Sequence, residues 1–227
     1  MKSKVNIAID GPAGAGKSTV AKKLADKLSY VYIDTGAMYR ALTWKAQREK
    51  VNYNDEEKLA ELLRRMDLKL SNSSAGTNIS VDAEDITSEV REPSVTNEVS
   101  YVAKHEAIRK QMVAKQQELA AGGGTVMDGR DIGTAVLPDA AVKFFLNATV
   151  DERASRRHQE QLVKGMESDL KLLKEEISLR DKLDSEREFA PLKKAPDAME
   201  VDTTSMSIEE VVNYLYDQVR KQADVHE

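Results

Sequence analysis

Cysteine is absent from the 227 residues, which excludes disulfides, thiolate nucleophiles and cysteine-ligated zinc together. A thiol-free chain suits a reducing cytoplasm, the expected compartment. A basic surplus is also missing: 34 Lys and Arg face 39 Asp and Glu, for a net charge of −5. General nucleic-acid binders displace counterions with a basic surface, so no nucleic-acid partner is expected, while local basic clusters still suit small phosphates. No apolar run approaches the ~20 residues that cross a bilayer, and no membrane partner is expected. MKSKVNIAID enters a strand-like segment directly, without the apolar stretch and cleavage site of a secretory signal. What is present, 41% hydrophobic and 32% charged residues, is the balance of a folded chain. Its length suits one sizeable domain with insertions, or two small ones.

Periodicity predicts strands at Val5–Asp10, Tyr30–Asp34, Thr125–Met127, Val142–Leu146 and Met199–Asp202. Helices are expected up to Leu28, over Gly36–Glu49 and Asp55–Met66, and again from Pro93 to about Ala121. Others are expected over Val150–Gln161 and Asp169–Arg180 and from Ser207 onwards. Five short apolar strands separated by helices imply a parallel sheet in a three-layer α/β domain. LKLSNSSAGTNISVDAEDIT breaks the texture with short alternating runs around a Ser/Asn/Gly turn, the pattern of a hairpin. Residues 67–95 therefore read as an insertion into a core of 1–66 and 96–227. Asp10, Asp34, Asp128 and Asp202 fall at strand ends, where such sheets hold their ligands.

GPAGAGKST contributes Gly11, Pro12, Ala13, Gly14, Ala15, Gly16, Lys17, Ser18 and Thr19. It follows an apolar strand and opens a helix, the context that makes a P-loop match specific for nucleoside triphosphate. Glycines let backbone N–H groups turn inward around a phosphate, and the helix presents its positive end. Lys17 supplies charge to the β- and γ-phosphates, and the Ser18 hydroxyl suits direct ligation of Mg²⁺.

Neither a guanine-reading Asn/Thr-Lys-x-Asp segment nor a transporter-type Ser-Gly-Gly signature is present. Asp34-Thr35-Gly36-Ala37-Met38-Tyr39-Arg40 reads either as a capped helix with an exposed arginine or as a second phosphate site. VMDGRDIGT, residues 126–134, places two carboxylates and a guanidinium within four positions after an apolar run. With SYVA (100–103) and RDKLDSER (180–187), these segments make the chain resemble the bacterial cytidylate kinases essentially end to end. The DGRD box replaces the Asp-Gly-Phe-Pro-Arg box of adenylate kinases.

That resemblance implies a P-loop kinase fold with an insertion in the monophosphate-binding region and a short helical lid at about 153–170. The implied activity moves the γ-phosphate of ATP, with Mg²⁺, onto CMP or dCMP, in a monomer. It places Asp131, Ser100 and Arg109 around the base, Arg40 and Arg130 on the acceptor phosphate, and Thr35 in the same pocket. Asp184 and Arg187 would bond the sugar, and Arg180 the phosphates. Lys17, Arg130, Arg180 and Asp128 form the implied catalytic set, Asp128 reaching Mg²⁺ through water. Arg153, Arg156 and Arg157 would close over ATP.

A carboxylate suits cytosine because it accepts from the exocyclic amino group, where uracil presents another acceptor. Opposing two buried acceptors costs on the order of 1–3 kcal/mol. Taken by spacing alone, Arg180, Asp184 and Arg187 also read as a solvated ion-pair ladder on one helical face. A uridylate, thymidylate or metabolite kinase is the nearest rival, opposed by Asp131 with Ser100; an ATP-switched regulator would lack the second arginine site. His105, His158 and His226 lack metal-ligand spacing and are expected at the surface.

Overall fold

The computed structural model describes residues 4–73 and 76–225. The chain opens with β1 (Ile7–Asp10) and, after the glycine turn, α1 (Lys17–Leu28). β2 (Val31–Asp34) leads straight into α2 (Thr35–Arg48), followed by α3 (Glu56–Arg65). A small antiparallel sheet, β3 (Leu68–Ser73), β4 (Gly76–Val81) and β5 (Glu84–Asp85), comes next. Helices α4 (Pro93–Thr96), α5 (Val99–Ala103) and α6 (Glu106–Ala120) return the chain to β6 (Thr125–Gly129). β7 (Val142–Asn147), α7 (Val150–Val163), α8 (Leu170–Glu186), β8 (Met199–Asp202) and α9 (Ile208–Val225) follow.

The main sheet runs β2-β6-β1-β7-β8, all parallel. β1 and β6 are buried at every position, as central strands covered on both faces must be. Alternation along β1 builds two layers. Ile7 and Ile9 join Leu24, Phe144, Leu146 and Leu215 on the α1/α9 side. Ala8 joins Met127, Ile132, Val136 and Ala120 on the other. Each fully buried Leu or Ile contributes roughly 1.5–3 kcal/mol. The register sets Asp10 beside Gly129 and Asp34 beside Asp128, so the acidic ends align along one sheet edge.

The β3–β4 hairpin pairs Leu68 with Val81 and Leu70 with Ile79; the tip of the expected turn, residues 74 and 75, lies outside the described residues. Ile79, Val81, Ile86 and Val90 are buried in one cluster with α2, α3 and α6.

The helical stretch from Pro93 divides into α4, α5 and α6, and His105, with an extended backbone (φ −73°, ψ 129°), separates the last two. Its ring Nε2 lies 2.6 Å from the Tyr53 carbonyl oxygen, and the side chain is half-buried. His158 is likewise half-buried, against Ser168 Oγ, and His226 lies outside the described residues. One helix expectation needs correction: α8 extends past Arg180 to Glu186, with Arg187 as its extended C-cap. Arg187 therefore does not share the helical face of Arg180 and Asp184.

Candidate active site

Gly11 begins the loop at φ +147°, and a Cβ there would lie 2.0 Å from the Leu146 carbonyl oxygen. No side chain fits, so the backbone hugs β7. α1 starts at Lys17 without a side-chain cap, which leaves its first N–H groups for an anion. Ser18 and Thr19 are exposed at this opening. Lys17 is buried, its Nζ donating to the Pro12 carbonyl at 2.7 Å. Burial first, then Arg130, hold its ammonium well below the ordinary lysine range, while Asp128 pulls the other way.

Arg153 does not stand over this loop as a lid residue would. It is 3% exposed, donating to the Ala13 carbonyl at 2.8 Å, to the Ala148 carbonyl at 2.9 Å and to Asp181 at 2.6 Å. It ties the loop to α8 from behind. Arg156 is also engaged, with Glu152 and Thr203, whereas Arg157 faces the second pocket.

Asp128 joins the two halves of the site. Its Oδ2 accepts from Ser18 Oγ at 3.0 Å and its Oδ1 from Tyr32 at 2.7 Å. The Thr35 hydroxyl donates to the Asp128 backbone carbonyl at 2.7 Å, which makes Thr35 a support for β6 in this structure. Burial, then the nearby Asp34 charge, push the Asp128 carboxyl up to about 6.

Opposite the loop, Arg40, Arg130, Arg157 and Arg180 gather. Asp34 caps α2 through Ala37 N and holds Arg40 at 3.1 Å. Arg130 Nε donates to Asp184 at 2.8 Å, and Ser100 Oγ to the other Asp184 oxygen at 2.9 Å. Burial opposes ionisation of Asp184, yet Arg130 and Arg180 hold it below the usual carboxylate range. The Nε atoms of Arg40 and Arg180 are buried without a hydrogen-bond partner among the described residues. Burial, then Arg130, push Arg180 down to about 9, with Arg40 and Arg157 adding to the effect. Cations crowded this way leave a deficit that an anion relieves. A cavity of about 70 Å³ beside them is lined by Ser100, Tyr101, Arg157, Ile177 and Arg180 among others.

Deeper lies Asp131, 4% exposed, paired with Arg109 and 3.5 Å from Arg187 Nη2. Arg109 is 1% exposed and stacks its guanidinium 5.2 Å from the Tyr39 ring centroid. Sequence reasoning missed Tyr32, Tyr39 and Asp181. The last had a signal, standing next to Arg180 in RDKLDSER; the two tyrosines read only as apolar strand and helix positions.

A phosphate loop facing a guanidinium pocket across the carboxyl edge of a parallel sheet defines a P-loop phosphotransferase with a phosphorylated acceptor. A gluconokinase from Sinorhizobium meliloti 1021 shares the fold, with a TM-score of 0.53 and 14% identity over 99% of this chain and 96% of that one. The family model for cytidylate kinase matches residues 7–221. The cytidylate kinase of Geobacillus kaustophilus (strain HTA426) is 59% identical over 97% of this chain and 99% of its own. That of Bacillus subtilis (strain 168) is 55% identical over 98% and 100%. The chain belongs to the cytidylate kinase family and is a nucleoside monophosphate kinase.

Proposed function

We propose that the two pockets divide the family's reaction, transfer of the γ-phosphate of ATP to CMP or dCMP, as follows. Backbone N–H groups of the Gly11–Thr19 loop and Lys17 hold the ATP phosphates. Arg40 and Arg130 hold the acceptor phosphate, and Arg180 with Arg157 faces the migrating group. Ser100, Asp184 and Arg187 line the sugar and base, and Asp131, oriented by Arg109, accepts from the cytosine amino group. The acceptor phosphate is already ionised at neutral pH, so no general base is required; alignment and charge neutralisation carry the rate.

The donor set fits Mg²⁺. Ser18 Oγ and the Asp128 carboxylate lie 3.0 Å apart, all oxygen, as a hard cation prefers. Among the described residues no cluster of three His, Asp or Glu offers a competing site. Ser18 would ligate the ion directly and Asp128 through water, and the ion would neutralise charge on the ATP phosphates. Arg156 closes the ATP side while Arg153 fixes the loop beneath it. All these groups come from one chain, so a monomer suffices.

One observation carries the reading: a buried, rigidly held carboxylate, Asp131, adjoins the arginine pocket that faces the phosphate loop. ADP release measured with CMP, dCMP, UMP and AMP as acceptors tests it. CMP and dCMP are expected to lead. Dominance of UMP or AMP, or no release with any acceptor, contradicts it.

A further inference from the structure

Asp10 closes β1, one residue before the phosphate loop, and is 3% exposed. Its carboxylate touches neither pocket. Both oxygens are spent on backbone: Oδ1 accepts from Ile132 N and Oδ2 from Gly133 N, each at 2.7 Å. These are the two amides that follow Asp131. The other side of the same peptide group is also held, since the Asp131 carbonyl accepts from Ala135 N at 2.8 Å and Val136 N at 3.2 Å. The peptide linking Asp131 to Ile132 is thus pinned through its N–H and its C=O together. Asp131 itself has a non-helical conformation (φ −145°, ψ 27°) as the N-cap of the helical turn Ile132–Val136, whose first bonds its carbonyl accepts. A strand or helix would fix its direction by repetition; here two clamps must do so.

We infer that Asp10 is a positioning residue for base selection, clamping the turn after β6 so that the Asp131 carboxylate faces the pyrimidine edge. The inference rests on the base-reading role proposed for Asp131. Only a carboxylate offers acceptors to two successive N–H groups without also presenting a donor. Asparagine has the same shape but sets its own N–H₂ against one of the amides, which releases that clamp. Gly133 accommodates the grip, since a Cβ there would meet Lys143 Cδ at 3.1 Å and the Asp10 carboxylate at 3.4 Å. The clamp also joins the acceptor site to the strand that launches the phosphate loop; its hydrogen bonds go to Ile132 and Gly133, while Lys17 in the loop feels its charge.

Steady-state kinetics of Asp10→Asn at pH 8, above the value of about 7 to which burial raises the Asp10 carboxyl, with CMP, UMP and ATP varied in turn provide the test, with thermal melting alongside. KM for CMP is expected to rise by about tenfold, and the CMP-over-UMP ratio of kcat/KM to fall by about tenfold, the effect of one mispaired buried acceptor. KM for ATP is expected to stay within about twofold, because the phosphate loop keeps its own contacts. Should the Asn variant fold poorly, Asp10→Ser, which keeps one small acceptor, is held to the same comparison. A folded variant that keeps its CMP preference, or loses CMP and ATP affinity in equal measure, overturns the inference. Asp131→Asn run in parallel separates the two layers. If Asp131→Asn loses the preference while Asp10→Asn keeps it, only the clamp is wrong; if Asp131→Asn keeps it, base reading fails and the clamp's purpose with it.

Discussion

Asp10 and Asp128 are carboxylates that the fold buries and then supplies with donors. Burial is the foremost cause in both, pushing Asp10 up to about 7 and Asp128 up to about 6 from a usual value near 3.8. A raised carboxyl retains its proton in the native state at pH values where the unfolded chain has lost it. The stability this brings is therefore present below about pH 4 and disappears as pH rises through about 6 for Asp128 and about 7 for Asp10. Melting curves of Asp128→Asn should show it: the variant-minus-wild-type difference is more positive at pH 8 than at pH 5, by several degrees at ~2–4 °C per kcal/mol. A difference that does not move with pH contradicts the assignment. Ionised Asp128 is the form suited to a cation's water shell, so activity should climb as pH rises through about 6.

Arg130 makes a different demand. It is 17% exposed on its side chain and shares Asp184 with Ser100, so its removal leaves Asp184 still hydrogen-bonded. Arg130→Ala is expected to lower kcat by about 10²–10³ while costing roughly 1–3 kcal/mol of stability. Kinetics and melting on one preparation decide; stability lost with kcat intact assigns Arg130 to the fold alone.

At the scale of elements, the α7–α8 hairpin has a small core of Ala154, Leu173 and Ile177 and is fastened to the phosphate loop through Arg153. Asp181→Asn weakens the fastening without adding volume. KM for ATP should rise several-fold with KM for CMP little changed, and stability should fall by about 1–3 kcal/mol. Equal shifts in both KM values would show instead that the hairpin serves the whole site. The hairpin's start points were legible, since Thr149 and Asp169 are ordinary N-caps and accept from Glu152 N and Lys171 N. The burial of Arg153 was not, because a charge inside ERASRRHQEQ reads as solvated and only its contact with Ala13, 140 positions away, says otherwise. The break before α6 was hidden for the same reason: it is fixed by His105 meeting Tyr53, 52 residues earlier.

For the whole molecule, the phosphate loop could be read directly because strand, glycines and helix are contiguous. The sheet could be read because central parallel strands are continuously apolar. The second pocket draws Arg40 from α2, Ser100 from α5, Arg109 from α6, Arg130 and Asp131 from just beyond the end of β6, and Arg180 and Asp184 from α8. No local pattern announces such a convergence, and only the likeness of the separated motifs to one family pointed to it. The partners within the pocket, Arg109 with Asp131 and Arg130 with Asp184, required the fold. The claim that unites these contacts is that Asp131 chooses the base. A crystal structure of the chain with CMP bound tests it most directly. The account predicts the Asp131 carboxylate within about 2.7–3.2 Å of the cytosine amino group, with Arg130 on the acceptor phosphate. CMP seated with its amino group away from Asp131, that carboxylate engaged only by Arg109 and Arg187, contradicts it.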